Sequence, residues 1–217
     1  MEKYNLDDKE RLLKFFSKKP SKLLLKEDTI ELRHFKNFNS LKMHIVDFTD
    51  TSVKLQSTDD VADLELAQQD HVVMTYFSNK TYFSIIGNIA NIEKTNPLEF
   101  VVDIKTIKNT KNLMKAQKKY VSFPGTINVT ADADTKATAI TKVMGLRAVK
   151  VDCKQEYKTG NMVDVLIMLA KNSKLIFKGE IVKKEKNGDL FEYGIEVKEI
   201  TESNSKLMHQ CVDDAID

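Results

Sequence analysis

The sequence predicts a mainly β protein built as two successive small antiparallel domains, with a short helix before them and an amphipathic helix after them. Three observations carry this. Short β-branched and aromatic runs recur from about Ser40 to Lys198, separated in the first half by Asn, Lys, Thr and Pro clusters. No long helical pattern intervenes between those runs, which points to a small barrel or sandwich. After the last run the apolar period changes from two to the helical spacing.

Taken in order, Asn5 to Phe16 reads as a short helix with Leu6, Leu12, Leu13 and Phe16 on one stripe, ended by Pro20. The Leu23-Leu24-Leu25 run and Thr29 to Leu32 fit a strand or a second short helix equally well. Strand patterns follow at Leu41–Phe48, Ser52–Leu55, His71–Phe77, Tyr82–Ile92 and Leu98–Ile104. The polar stretch Lys105 to Lys119 has few core residues and reads as a linker. A second set comprises Tyr120–Val129, Ala137–Val151, Val163–Ala170, Lys174–Lys183 and Leu190–Lys198. Asn187-Gly188 marks a two-residue hairpin and Lys158 to Asn161 another turn. Ser203 is the expected N-cap of the last helix, with Leu207, Met208, Cys211, Val212, Ala215 and Ile216 on its apolar stripe. The resulting division is a helical or extended segment over 1–35, a first domain over 36–110, a basic linker over 111–119 and a second domain over 120–217.

Composition narrows the function. At 217 residues, 41% hydrophobic and 30% charged, the chain holds enough apolar material for two cores under a strongly solvated surface. A net charge of +2 excludes a globally basic nucleic-acid coat. Lysine is abundant, but the only arginines are Arg11, Arg33 and Arg147, so forked, planar cations are scarce. Cys153 and Cys211 lie far apart, and His34, His44, His71 and His209 are not at metal-ligand spacing, so neither a disulfide framework nor a metal site is indicated. The seven glycines are scattered singly, with no phosphate loop among them. The acidic stretch with Asp59, Asp60, Asp63 and Glu65 lacks the glycine and the spaced glutamate of a calcium loop. No nucleophile–base pair can be assembled, so an enzyme is not expected. No apolar run reaches a membrane span and the N-terminus lacks a signal-peptide core, which makes the cytoplasm the expected compartment.

From Gln117 to the end the order of segments resembles the PilZ family of cyclic-di-GMP signalling. Gln117-Lys118-Lys119-Tyr120-Val121-Ser122 resembles the family's Gln-Arg-Arg-like start of its RxxxR motif. Ala139-Ile140-Thr141-Lys142-Val143-Met144-Gly145 stands where the family has (D/N)xSxxG. A turn with Lys158-Thr159-Gly160, the hairpin ending in Tyr193-Gly194-Ile195-Glu196-Val197 and a closing helix complete the order. The half before the linker resembles the barrel that precedes PilZ in flagellar-brake-type proteins. The resemblance implies that both domains are antiparallel barrels, that cyclic-di-GMP is the ligand, and that no other cofactor is needed. It further implies a bacterial regulator whose protein partner belongs to flagellar or pilus machinery, acting as an adaptor through the terminal helix and exposed strand edges.

Carried over position by position, Lys118 stands for the first arginine, Ser122 for the second, Ala139 for the Asp/Asn and Thr141 for the Ser, while Gly145 comes one residue late. Lys118, Lys119, Ser122, Thr141, Gly145 and Arg147 are the candidate ligand residues, with Lys115 as a further cation. Lysine can neutralise a phosphate, but Ser122 cannot fork to a guanine and Ala139 has no polar side chain. Losing two bidentate contacts removes about 2–6 kcal/mol. The expected outcome is weak or lost nucleotide binding and signalling through protein contacts. Two rivals are a divergent receptor with a lysine-based site and a nucleic-acid-binding barrel using Tyr76-Phe77 and Tyr82-Phe83. Read without the resemblance, Lys111, Lys115, Lys118 and Lys119 are a solvated linker face, Thr141 a strand residue and Arg147 a surface cation.

Overall fold

The structure, a computed structural model, describes residues 20, 23–58, 65–78, 81–110 and 117–213. The expected helix over 5–16, the acidic loop around Asp60, Lys111, Lys115 and the helix positions Ala215 and Ile216 lie outside those residues.

Twelve strands and a terminal helix follow in order. They are β1 (Thr29–His34), β2 (Asn37–Phe48), β3 (Ser52–Ser57), β4 (His71–Ser78), β5 (Thr81–Thr95), β6 (Leu98–Asn109), β7 (Lys118–Val129), β8 (Ala137–Gly145), β9 (Ala148–Cys153), β10 (Met162–Ala170), β11 (Ser173–Asn187), β12 (Leu190–Ile200) and α1 (Glu202–Asp213). They form two closed six-stranded antiparallel barrels, ordered β1-β2-β3-β6-β5-β4 and β10-β11-β12-β9-β8-β7. The chain divides into two compact units: one holds the first barrel apart from His34–Phe38, and the other holds that short segment and the second barrel.

Alternation builds each barrel. In β3, Val53 and Leu55 point inward and are fully buried, while Lys54 and Gln56 face out. In β10, Val163, Val165 and Ile167 do the same for the second core, which includes Phe177 and Tyr193. Burying each such side chain stabilises the fold by about 1.5–3 kcal/mol. Among the described residues, closure pairs each strand on both sides, so neither sheet ends in an open edge.

Several local expectations are settled or corrected. Of the two alternatives left open for Thr29 to Leu32, the strand is the one formed, with Ile30 and Leu32 filling the first core at period two. The run Ala137–Val151 is two strands, broken at Leu146-Arg147. The hairpin at Asn187 falls where it was expected, but Asn187 pairs with Leu190 and the turn is Gly188-Asp189, with the positive φ of 62° at Gly188. The cap of α1 is Thr201, whose Oγ1 accepts from the Asn204 amide at 3.3 Å, two residues before Ser203. The apolar stripe of α1 is consumed by its own barrel: Met208 and Val212 are buried in the second core, so that face is not open to a partner.

Candidate ligand site on the second barrel

Strand register gathers four of the six candidate residues. Lys118 and Lys119 open β7 opposite Gly145 and Met144 at the end of β8. Arg147 sits in the bend between β8 and β9, and its carbonyl accepts from the Val197 amide at 2.9 Å, fixing the bend to β12. At Gly145 a Cβ would lie 3.2 Å from the Ala148 carbonyl oxygen and 3.4 Å from that of Gln117, so the close approach of this end favours glycine. Lys118 and Arg147 are exposed, and neither cationic head has an ion-pair partner among the described residues.

The other two candidates lie elsewhere. Ser122 is 3% exposed and Thr141 1% exposed, with Ala139 buried beside them. Phe123 pairs with Thr141, and β7 bulges between Tyr120 and Phe123, which puts Val121, Ser122 and Phe123 all out of solvent. A second bulge lies in β8 between Thr141 and Val143, opposite Val151 and Lys150. An extra residue therefore sits in β8 within the span that, by motif spacing, runs one residue long before Gly145.

A charged cluster that the sequence reading missed lies beside these residues. Lys142 (β8), Lys150 and Asp152 (β9) and Glu192 (β12) meet on the outer face. Lys142 Nζ donates to Asp152 Oδ2 at 2.9 Å and stands 3.6 Å from Glu192 Oε2, while Lys150 Nζ donates to Glu192 Oε1 at 2.6 Å. Asp152 is 7% exposed, and its Oδ1 is buried without a hydrogen-bond partner among the described residues. Burial pushes the Asp152 carboxyl above the ordinary aspartate range, against the pull of Lys142. Burial also pushes Glu192 upward, but Lys150 and Lys142 more than offset it and hold it low. The period-two pattern of Lys150 and Asp152 marks an outward face; what it does not reveal is the pairing that brings Glu192 opposite Asp152.

Other expected chemistry is placed as follows. Tyr76 and Phe83 are buried in the first core, whereas Phe77 (56% exposed) and Tyr82 face out with ring centroids 4.7 Å apart. The Cys153 thiol is buried, donates to the Gln155 carbonyl at 3.3 Å and is pushed up to about 11 by burial, far from a thiolate nucleophile. Among the described residues no three His, Cys, Asp or Glu side chains are grouped as metal ligands, and no helix is long and apolar enough to cross a membrane.

No protein-family model and no curated protein matches the chain. Among solved structures it is similar to the Bacillus subtilis inhibitor of motility MotI/DgrA, at 10% identity and a TM-score of 0.39, covering 87% of this chain and 96% of that one. It is also similar to Escherichia coli YcgR in complex with c-di-GMP, at 10% identity and a TM-score of 0.37, covering 93% and 86%. Borreliella burgdorferi PlzA in complex with c-di-GMP gives 11% identity, a TM-score of 0.31 and coverage of 94% and 91%.

Proposed function

We propose that this chain is a PilZ-like regulatory adaptor of bacterial cyclic-di-GMP and motility signalling, working through protein–protein contacts, with nucleotide affinity weak or lost. The observation that carries the reading is the burial of Ser122 and Thr141. Of the four motif positions, two present hydroxyls that solvent does not reach, Ala139 presents no polar group, and Lys118 alone faces out. One hydrated ammonium neutralises a phosphate but does not read a guanine edge, which takes a forked donor. A deficit of about 2–6 kcal/mol corresponds to roughly one and a half to four decades of affinity.

The rival that an observation favours is a divergent receptor. Lys118 and Arg147 come to the same end of the barrel with their charges unpaired among the described residues, and Arg147 supplies the fork that Lys118 lacks.

Calorimetric titration with cyclic-di-GMP at moderate salt, with GTP as control, separates the two. The adaptor reading expects no saturable heat from folded protein at micromolar ligand. Saturable micromolar binding, lost in Lys118→Ala and Arg147→Ala, would instead establish the divergent receptor.

A further inference from the structure

The outer-face cluster of the second barrel contains one atom that its surroundings do not satisfy. Asp152 Oδ1 is buried and lacks a partner among the described residues, while Oδ2 of the same carboxylate holds Lys142 at 2.9 Å. A buried acceptor without a donor keeps its full desolvation penalty, which is larger when it carries charge. The smallest ligand that relieves such an oxygen is a proton.

Lys142 already has a second seat. Its ammonium stands 3.6 Å from Glu192 Oε2, and Glu192 is kept ionised by Lys150 at 2.6 Å on its other oxygen. We propose that Asp152 is a proton-controlled latch: ionised, it holds Lys142 on β9, and protonated, it releases Lys142 to Glu192 on β12. The step is a proton uptake from solvent at the Asp152 carboxylate and the exchange of one ion pair for another, with no other bond changed.

Other titratable groups also face the cluster. From β7, Tyr120 lies near Lys150, and from β11 the Glu185 carboxylate, itself paired with Lys183 at 2.6 Å, favours charged Lys150 and thus the ionised state of its partner Glu192. Burial raises Asp152 from its ordinary value while the two lysines hold Glu192 below its own, so the two carboxyls shift in opposite directions. The sign follows: with a raised folded-state value, the stability linked to Asp152 increases as pH falls through that value, whereas the part linked to Glu192 is present above its unfolded value and lost only at lower pH. Lys142 stands in the β8 bulge between Thr141 and Val143, so its transfer reaches the backbone of the strand that carries the motif positions. The latch needs no nucleotide and stands apart from the functional reading above.

The test is an NMR titration of the full chain between about pH 3 and 7, a span that brackets ordinary carboxyl values. The Asp152 carboxyl and the Lys142 and Val143 amides are followed together. The expected result is one shared midpoint, above the ordinary aspartate value. Asp152→Asn removes the titrating group, so at neutral pH those amides take their acid-form positions and no longer move. Glu192→Gln removes the second seat, so Asp152 still protonates but the amide shifts shrink. The latch is overturned if the amides stay fixed while Asp152 protonates, if Asp152 titrates at or below its ordinary value, or if Glu192→Gln leaves the amide shifts intact.

Discussion

Each barrel carries a nearly buried carboxylate on its outer face beside lysines, and the two behave in opposite ways. In the first barrel Glu99 (β6) is 5% exposed, and both oxygens are satisfied: Oε1 by Lys54 at 2.5 Å and Oε2 by Lys94 at 3.0 Å. Lys54 also pairs with Glu93 at 2.7 Å, which fixes the lysine. Those bonds pull Glu99 down to about 2. In the second barrel Asp152 is 7% exposed with one oxygen paired, and its value moves up. The two side chains are almost equally screened from solvent, yet burial is the largest influence on Asp152, whereas the hydrogen bonds from Lys54 and Lys94 are the largest on Glu99. A fully bonded carboxylate is a fixed strut, and a half-bonded one is a proton site.

The largest expected effect comes from removing the lysine that Asp152 does have. Lys142→Met leaves a buried carboxylate with no near counter-charge and destabilises the second barrel by about 2–3 kcal/mol at neutral pH. This is less than the loss of a fully enclosed pair, because Asp152 can take up a proton. Urea unfolding followed at two pH values checks it, since the deficit shrinks on acidification. A deficit that is the same at both values would break the contrast between the barrels.

The pH response of the two barrels should differ next. Glu99, with a lowered folded value, contributes stability that is present above its unfolded value of about 4.5 and lost as pH falls toward about 2. Asp152, with a raised folded value, contributes in the opposite direction over the upper part of that window. Amide exchange read separately at β6 and β9 should show protection falling in the first and holding or rising in the second as the sample is acidified.

A smaller effect is expected for Asp152→Asn, which removes the unpaired charge together with the ion pair to Lys142. Those terms oppose each other, and stability at neutral pH should change by no more than about 1 kcal/mol. The smallest is Lys94→Met, because that lysine is 59% exposed and surface pairs contribute little. Thermal unfolding should barely move, and added salt should shrink the difference further.

Much of the fold was legible in the sequence because small barrels alternate. Ile30 and Leu32, Val53 and Leu55, and Val163, Val165 and Ile167 announce their faces by period two alone. Turn identity was legible to within a residue, since Gly188 had to take the positive φ whichever neighbour shared the turn. The candidate site was legible only in part. Lys118, Gly145 and Arg147 are near one another in motif order and stayed together in space. Ser122 is buried where β7 bulges between Tyr120 and Phe123, and a bulge leaves little mark in composition, whereas Thr141 simply follows the inward period of Ala139. The Lys142–Asp152–Glu192 cluster was invisible for a related reason: it is assembled by register across strands that lie 40 residues apart in the chain at Asp152 and Glu192.

The measurement that bears most directly on the proposal that nucleotide recognition is weak or lost is a site-resolved titration of isotope-labelled protein with cyclic-di-GMP. The amides of Lys118, Ser122, Thr141, Gly145 and Arg147 are followed by NMR. The account predicts that none moves saturably at micromolar ligand, and that Ser122 and Thr141 stay fixed even where high concentrations perturb Lys118. Saturable shifts at Lys118, Gly145 and Arg147 with a common micromolar constant would contradict it and make the exposed end of the barrel a working nucleotide site.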